Sequence, residues 1–390
     1  MAAIKFVGII GVVLFWYFLP GFAEALYPSR ILQLALYGIL TVITWKILTS
    51  KKFVAVDPSN KAVLITGCDS GFGNQLSHKL DALGYTVFAG CLQPDREGAQ
   101  KLKMSCSDRL MIIPLDVTDD WQVRGAVKTV KENLKDKVLW AVVNNAGVAI
   151  FTEIEWCSVT QFQRIMDVNV LGVVRVTKLF LPFIREAEGR IINVASLAGR
   201  FTVPAFAAYS MSKKACIAFS DALRQEMAKF NVRVITIEPG LYKTPISETD
   251  YLINMNRKSW SETPTEVKDV YGEEYFDAFL KNITEQMKRA RPNVNEVIEL
   301  MLDAVTNESP KSRYVPYWLS NIRVTILTYL PSSVTDKLFN VYMPKKKPSL
   351  NRMNSKQSDK SQLISPNSEA SFVLNTSQSN HCITINFDFV

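Results

Sequence analysis

Tyr209 and Lys213 stand four residues apart in a stretch of helical spacing, Ala207-Ala208-Tyr209-Ser210-Met211-Ser212-Lys213. Positions i and i+4 share a helix face, so the phenol and the ammonium can approach one another. A tyrosine that takes a proton from an alcohol near neutral pH must first give up its own, against an ordinary pKa of about 10. A neighbouring ammonium favours the phenolate, and the same phenol serves as the acid in the reverse direction. Alone, a tyrosine four residues before a lysine is most often an ordinary helix surface. Here a hydroxyl joins it. Ser196 follows the run Arg190–Val194, at the carboxyl end of a predicted strand, where it can hydrogen-bond a substrate oxygen and steady charge as a carbonyl forms. Asn169 falls on the preceding predicted helix. A buried Asn there needs hydrogen-bonding work, such as holding a water that relays protons to Lys213.

A second constellation lies upstream, in Thr66-Gly67-Cys68-Asp69-Ser70-Gly71-Phe72-Gly73, directly after a β-branched run and opening into a helix. Glycines at such a turn let backbone N–H groups and the helix dipole meet a pyrophosphate that a Cβ would keep away. Cys91 ends the second run, a position from which an acidic residue would hold the ribose hydroxyls of NAD. No carboxylate stands there, and no Arg or Lys follows it directly, the first base being Arg96. These residues leave NAD and NADP both open. Asp116-Val117 closes the third run, where a carboxylate can accept from an adenine amino group. Asn144-Asn145-Ala146-Gly147 closes the fourth, its short side chains keeping the floor of the cleft low and its amides able to tie strand ends together.

These groups must be positioned by the runs Ala62–Thr66, Thr86–Ala89, Leu110–Leu115, Leu139–Asn144, Arg190–Val194 and Val232–Ile237, which alternate with amphipathic stretches. That rhythm predicts an α/β fold, a Rossmann-like doubly wound parallel sheet whose ligand crevice lies at the strand carboxyl ends. Helices are expected over 73–83 and 294–305. The stretch Tyr314 to Tyr342, rich in Trp, Tyr, Leu and Ile, can cap a substrate pocket or rest on a bilayer.

Over roughly Lys61 to Thr244 the chain resembles a short-chain dehydrogenase/reductase. The resemblance rests on the TGxxxGxG turn, the NNAG segment, the set Asn169, Ser196, Tyr209 and Lys213, and Pro239-Gly240 with Thr244. It implies hydride transfer between a nicotinamide cofactor and an alcohol, with Pro239, Gly240 and Thr244 embracing the nicotinamide. Phe88-Ala89-Gly90-Cys91-Leu92, Pro292-Asn293 and Arg313-Tyr314 narrow the resemblance to the branch of retinol, hydroxysteroid and (R)-3-hydroxybutyrate dehydrogenases. That branch implies NAD, and family analogy implies pairing of subunits into a homo-oligomer. Ala195 stands where many relatives carry a second Ser, which leaves Ser196 as the sole candidate. A lipophilic alcohol, a retinoid or steroid, is the expected substrate. The alternatives are a hydroxybutyrate-type substrate and a non-catalytic membrane scaffold.

The ends carry a separate message. Phe6–Ala23 contains no charge between Lys5 and Glu24 and is long enough to span a bilayer, although Ala23-Glu24-Ala25 also resembles a signal cleavage site. A second apolar run, Ile31–Trp45, precedes Lys46, Lys51 and Lys52. By the positive-inside bias these place the remainder in the cytoplasm. Residues 1–52 therefore read as a membrane anchor, expected in the endoplasmic reticulum, with a mitochondrial membrane as the alternative. Residues 58–343 read as the dehydrogenase domain, its core at 61–250 and a substrate cap at 251–343, and residues 344–390 as a disordered tail. With two histidines, a His-based metal site or a Ser-His-Asp triad lacks material, and six scattered cysteines show no metal-ligand spacing. A net charge of +8 without an aromatic-interleaved basic block does not point to nucleic acid.

Overall fold

The computed structural model describes residues 53–245 and 248–349, with isolated positions at 38, 41 and 44. The expected membrane segments Phe6–Ala23 and Ile31–Trp45, and the tail beyond 349, lie outside the described residues. Among the described residues no helix is long and apolar enough to cross a membrane.

Seven parallel strands form one sheet: β1 Lys61–Thr66, β2 Thr86–Cys91, β3 Leu110–Pro114, β4 Val138–Asn144, β5 Arg190–Val194, β6 Arg233–Ile237 and β7 Arg313–Tyr314, in the order β3-β2-β1-β4-β5-β6-β7. The order reverses beside β1, where Leu64 pairs with Phe88 on one side and Val142 on the other. That switch point opens the ligand crevice. Helices cover both faces. Val63 and Ile65 pack with α1 (Gly71–Ala82), α2 (Glu97–Ser105) and α10 (Asn295–Thr306). Ala62 and Leu64 face α3 (Asp120–Asn133), α5 (Val173–Glu186) and α6 (Ala207–Met227). Both faces of the strands are apolar because both are covered.

Between α4 (Val159–Met166) and α5 the helix widens into a π turn over Asp167–Gly172. Polar groups lock the strand ends behind it. The Asn144 amide donates to Thr177 Oγ1 at 3.0 Å and Asn193 Oδ1 at 2.8 Å, and Asn193 donates to Ser220 Oγ at 2.8 Å. β4 and β5 are thus tied to α5 and α6 by buried side chains.

After β6 the chain builds a cap: α7 (Thr249–Glu262), α8 (Thr265–Tyr271), α9 (Glu273–Lys288), α11 (Trp318–Tyr329) and α12 (Ser332–Phe339). Its anchor is aromatic. Trp156 meets Trp260 at 4.9 Å and Tyr271 and Phe279 at 5.0 Å between ring centroids, all edge to face. Residues 344–349, expected to begin the tail, instead pack on the cap: Lys346 pairs with Glu274, and Ser349 N donates to Tyr271 O.

Candidate active site

Gly67 and Gly71 adopt positive φ, 71° and 64°, and together they turn the chain from β1 into α1. A Cβ on Gly73 would lie 2.5 Å from both Gly67 O and the Asn145 amide nitrogen, so only glycine lets the helix start this close to the strand. Ser70 caps α1 with no side-chain bond, leaving the first-turn N–H groups for an anion. Gly67, Ser70, Gly71, Phe72, Asp116, Val117, Ala146, Gly147, Pro239, Gly240 and Thr244 line one cavity of about 1260 Å³ together with Ser196, Tyr209 and Lys213. This cradle, with a carboxylate at its far end in Asp116, fits a dinucleotide.

Thr66, Gly73, Cys91 and Asn144 are absent from that wall. Thr66 Oγ1 accepts the N–H groups of Asn145 at 3.0 Å and Ala146 at 2.9 Å, pinning β1 to the end of β4. Cys91 closes a strand that is buried throughout and packs in the core with Cys68. Burial and the charge of Asp69 push its thiol up to about 12, so it stays neutral. The residue whose carboxylate stands at the end of β2 is Asp69. Its carboxylate accepts Leu92 N at 3.0 Å and Gln93 N at 2.8 Å, and both Asp69 and Leu92 line the cavity. The signal for it was a carboxylate inside the glycine turn itself, in a segment otherwise meant for phosphate.

The chemical groups meet from three elements. Ser196, at the end of β5, donates to Pro239 O at 3.3 Å and accepts Ala198 N at 3.1 Å. The donated bond is long for a hydroxyl and can be exchanged for a substrate oxygen. Lys213 is buried and donates to Val194 O at 2.8 Å, with its ammonium 5.7 Å from the centre of the Tyr209 ring. Two ammonium protons remain beyond that bond. Gly147 makes room: a Cβ there would sit 3.3 Å from Asn169 Oδ1 and 3.6 Å from Lys213 Nζ. Asn169 lies in the π turn. Its Oδ1 accepts Val148 N at 2.9 Å, and its Nδ2 donates to Val148 O at 2.9 Å and Ser212 Oγ at 3.0 Å. The amide thus clamps the loop after β4 against the helix that carries Tyr209 and Lys213.

Beneath these groups a charged knot holds the three elements together. Glu238, fully buried just before Pro239-Gly240, accepts Arg200 Nε at 2.9 Å, Thr236 Oγ1 at 3.0 Å and Arg313. Arg200 ends the turn begun by Ser196, and Arg313 also reaches Asp221 on α6 at 3.2 Å. Neither Glu238 nor Arg200 stood out in the sequence.

Beside Tyr209 the cavity wall is apolar. Phe151 meets the Tyr209 ring edge to face at 5.5 Å, and Phe206, Leu241 and Met287 pack in the same cluster. From the cap, Val324, Leu327, Phe339 and Tyr342 add to the lining, with Phe339 stacked on Phe201 at 5.5 Å. Part of the stretch Tyr314 to Tyr342 thus lines the cavity. Among the described residues no cluster of His, Cys, Asp and Glu could hold a metal ion.

A model of the short chain dehydrogenase family matches residues 61–252. 17-beta-hydroxysteroid dehydrogenase type 6 of Rattus norvegicus is 41% identical over 284 residues, covering 72% of this chain and 88% of the relative. D-beta-hydroxybutyrate dehydrogenase, mitochondrial, of Rattus norvegicus is 39% identical over 290 residues, 72% and 84% respectively. Retinol dehydrogenase 7 of Mus musculus is 37% identical over 305 residues, 78% and 96%. Among solved structures, a short-chain dehydrogenase from Streptomyces avermitilis superposes with a TM-score of 0.57 at 22% identity, over 78% of this chain and all of that one. One from Burkholderia phymatum gives 0.56 at 20%, over 69% and 93%. Both show the fold. The chain belongs to the short-chain dehydrogenase family. It is an alcohol dehydrogenase of the branch that includes hydroxysteroid, retinol and hydroxybutyrate dehydrogenases, and it works with a nicotinamide cofactor.

Proposed function

We propose that the chain interconverts a lipophilic alcohol, of retinoid or steroid type, and its carbonyl compound with NAD(H). Tyr209 is the general base and acid, Lys213 holds its ammonium beside the Tyr209 ring, Ser196 holds the substrate oxygen, and Asn169 positions the helix that bears the pair. A bound nicotinamide supplies the acceptor for the hydride. The single observation behind this reading is the continuity of the cavity, from the glycine turn past Tyr209 into an apolar enclosure.

Two further observations favour its finer points. The Asp69 carboxylate at the ribose end favours NAD, since a 2′-phosphate there would meet a like charge. The apolar shell of Phe151, Phe206, Leu241 and Met287 around Tyr209 offers no cation to a carboxylate beside the carbinol, which favours a lipophilic substrate over hydroxybutyrate. Lys46, Lys51 and Lys52 favour attachment to the endoplasmic reticulum membrane with this domain in the cytoplasm. Protease digestion of sealed microsomes tests that placement, and protection of the domain would reverse it.

The activity is tested on detergent-solubilised full chain with retinol, hydroxysteroids and 3-hydroxybutyrate, each against NAD and NADP. Turnover of a retinol or hydroxysteroid with NAD is the expected result. Turnover of 3-hydroxybutyrate alone, or preference for NADP, overturns the substrate or cofactor assignment respectively.

A further inference from the structure

Helix α11 is amphipathic in the unexpected sense. Ser320, Arg323, Val324 and Leu327, at spacings of three, four and seven, all line the cavity. On the other side Ile322, Ile326 and Tyr329 are 47%, 55% and 84% exposed. A helix that only roofs an apolar pocket turns its apolar stripe inward and its charges outward. Here a guanidinium faces in. A second, Arg289 at the end of α9, lines the same cavity.

These two arginines differ from their neighbours. Arg291 is bound to Glu296 through Nη2 at 2.6 Å and stacks on Tyr317, and Arg200 and Arg313 are held by Glu238. Arg289 and Arg323 stand in no ion pair among the described residues. Glu285, whose charge Arg289 feels, is itself paired with Lys288 at 2.7 Å. Both arginines are exposed, so they belong to the mouth of the cavity, while the walls beside Tyr209 are apolar.

We propose, resting on the function assigned above, that Arg289 and Arg323 receive an anionic group at the far end of the substrate. The substrate class is then an amphipathic lipophilic alcohol. Its carbinol reaches Tyr209 and Ser196, its apolar body fills the enclosure, and a distal carboxylate or sulfate meets the two guanidinium groups. A short hydroxy acid does not fit this arrangement. Its carboxylate would be buried against Phe151 and Met287 without a partner, which is costly. An anion at the mouth keeps part of its hydration and gains two charge-assisted donors.

The test uses full-length protein with NAD, an ω-hydroxydodecanoate and the matching dodecanediol, which differ only in the anion. Equilibrium binding and kcat/KM are both measured. The acid is expected to bind about tenfold more tightly than the diol at low salt, with the advantage shrinking as salt screens exposed charge. The preference should collapse in the double variant Arg289→Gln, Arg323→Gln. Equal binding of acid and diol, or a preference that survives the double variant, overturns the proposal. A rise in the KM for NAD that accounts for the whole effect also overturns it, by giving the arginines to the cofactor diphosphate. Failure of the underlying assignment looks different: the acid still binds selectively while neither compound is turned over.

Discussion

The cofactor half and the cap solve different problems with different materials. Between Lys61 and Thr244 the groups that matter are placed by main chain: glycines at 67, 71 and 73, strand ends, and the N–H groups of Leu92 and Gln93. Buried amides and hydroxyls then lock the strand ends to one another. From Thr249 onward the cavity is shaped by side chains on helices, and its anchor is a cluster of aromatic rings around Trp156. Main chain leaves little freedom at the reacting end, where a shift of about an ångström is expensive. Side chains on a helical roof can be exchanged without disturbing the sheet. On the proposed function, chemistry and substrate choice are thereby separated within one cavity.

The sharpest way to break that separation is at Tyr209. Tyr209→Phe keeps the ring contact with Phe151 and removes the proton carrier, and turnover should fall about 10²–10⁴-fold. NAD affinity, followed by quenching of protein fluorescence, should hold. Undiminished turnover would remove the tyrosine from the mechanism. Next comes Glu238, where the cofactor loop, the Ser196 turn and α6 meet. Glu238→Ala leaves Arg200 and Arg313 facing a buried void and should cost about 3–5 kcal/mol in denaturant unfolding. A smaller effect belongs to Asp69. Asp69→Ala should raise the KM for NAD and relax discrimination against NADP by roughly tenfold, the scale of about 1.4 kcal/mol for one charged contact. An unchanged NAD to NADP ratio would return the choice of cofactor to other residues.

The smallest effect sharpens the cap side. Burial raises the pKa of Glu153 above its ordinary 4.5, although a hydrogen bond from Tyr275 at 2.7 Å opposes the shift. A carboxyl with a raised folded pKa stabilises the fold fully below its unfolded pKa and loses that contribution as pH rises through the folded value. Glu153→Gln keeps an acceptor for Tyr275 and removes the titration. The dependence of the unfolding free energy on pH above 4.5 should flatten, by an amount on the order of 1 kcal/mol or less, as read from denaturant titrations at several pH values.

The same division explains what could be read in advance. Six of the seven strands were legible because both faces of each are covered, so β-branched residues run together, as in Arg190–Val194. The seventh, Arg313–Tyr314, is two residues long and too short to show any period. Its place follows from Glu238 and Asp221, which hold Arg313 from elsewhere in the chain. Along α9 the buried Tyr275, Phe276, Phe279, Leu280, Ile283 and Met287 keep the spacing of a helix face, a repeat carried by aromatic rings as well as aliphatic side chains. Tyr209, Lys213 and Ser196 were legible from local spacing. Cys91 was assigned by position alone, and the adjacent N–H groups that receive Asp69 became visible only once β2 lay beside the glycine turn.

The π turn at Asp167–Gly172 uses one residue more than an α-helix would to bring Asn169 to Val148, and it fixes Gly172, where a Cβ would lie 2.6 Å from Val117. An α-helix advances about 100° per residue, and the wider π turn takes up one residue more, so the helix on either side keeps its phase. Deleting one residue within Asp167–Gly172 would restore an uninterrupted α-helix and leave Val176, Phe180 and Ile184 on the sheet they now cover, since the π turn absorbs its extra residue locally. The same deletion would carry Asn169 out of reach of Val148. Drift among homologous sequences should therefore spare Asn169 and Gly172, and a one-residue gap here should accompany loss of that Asn.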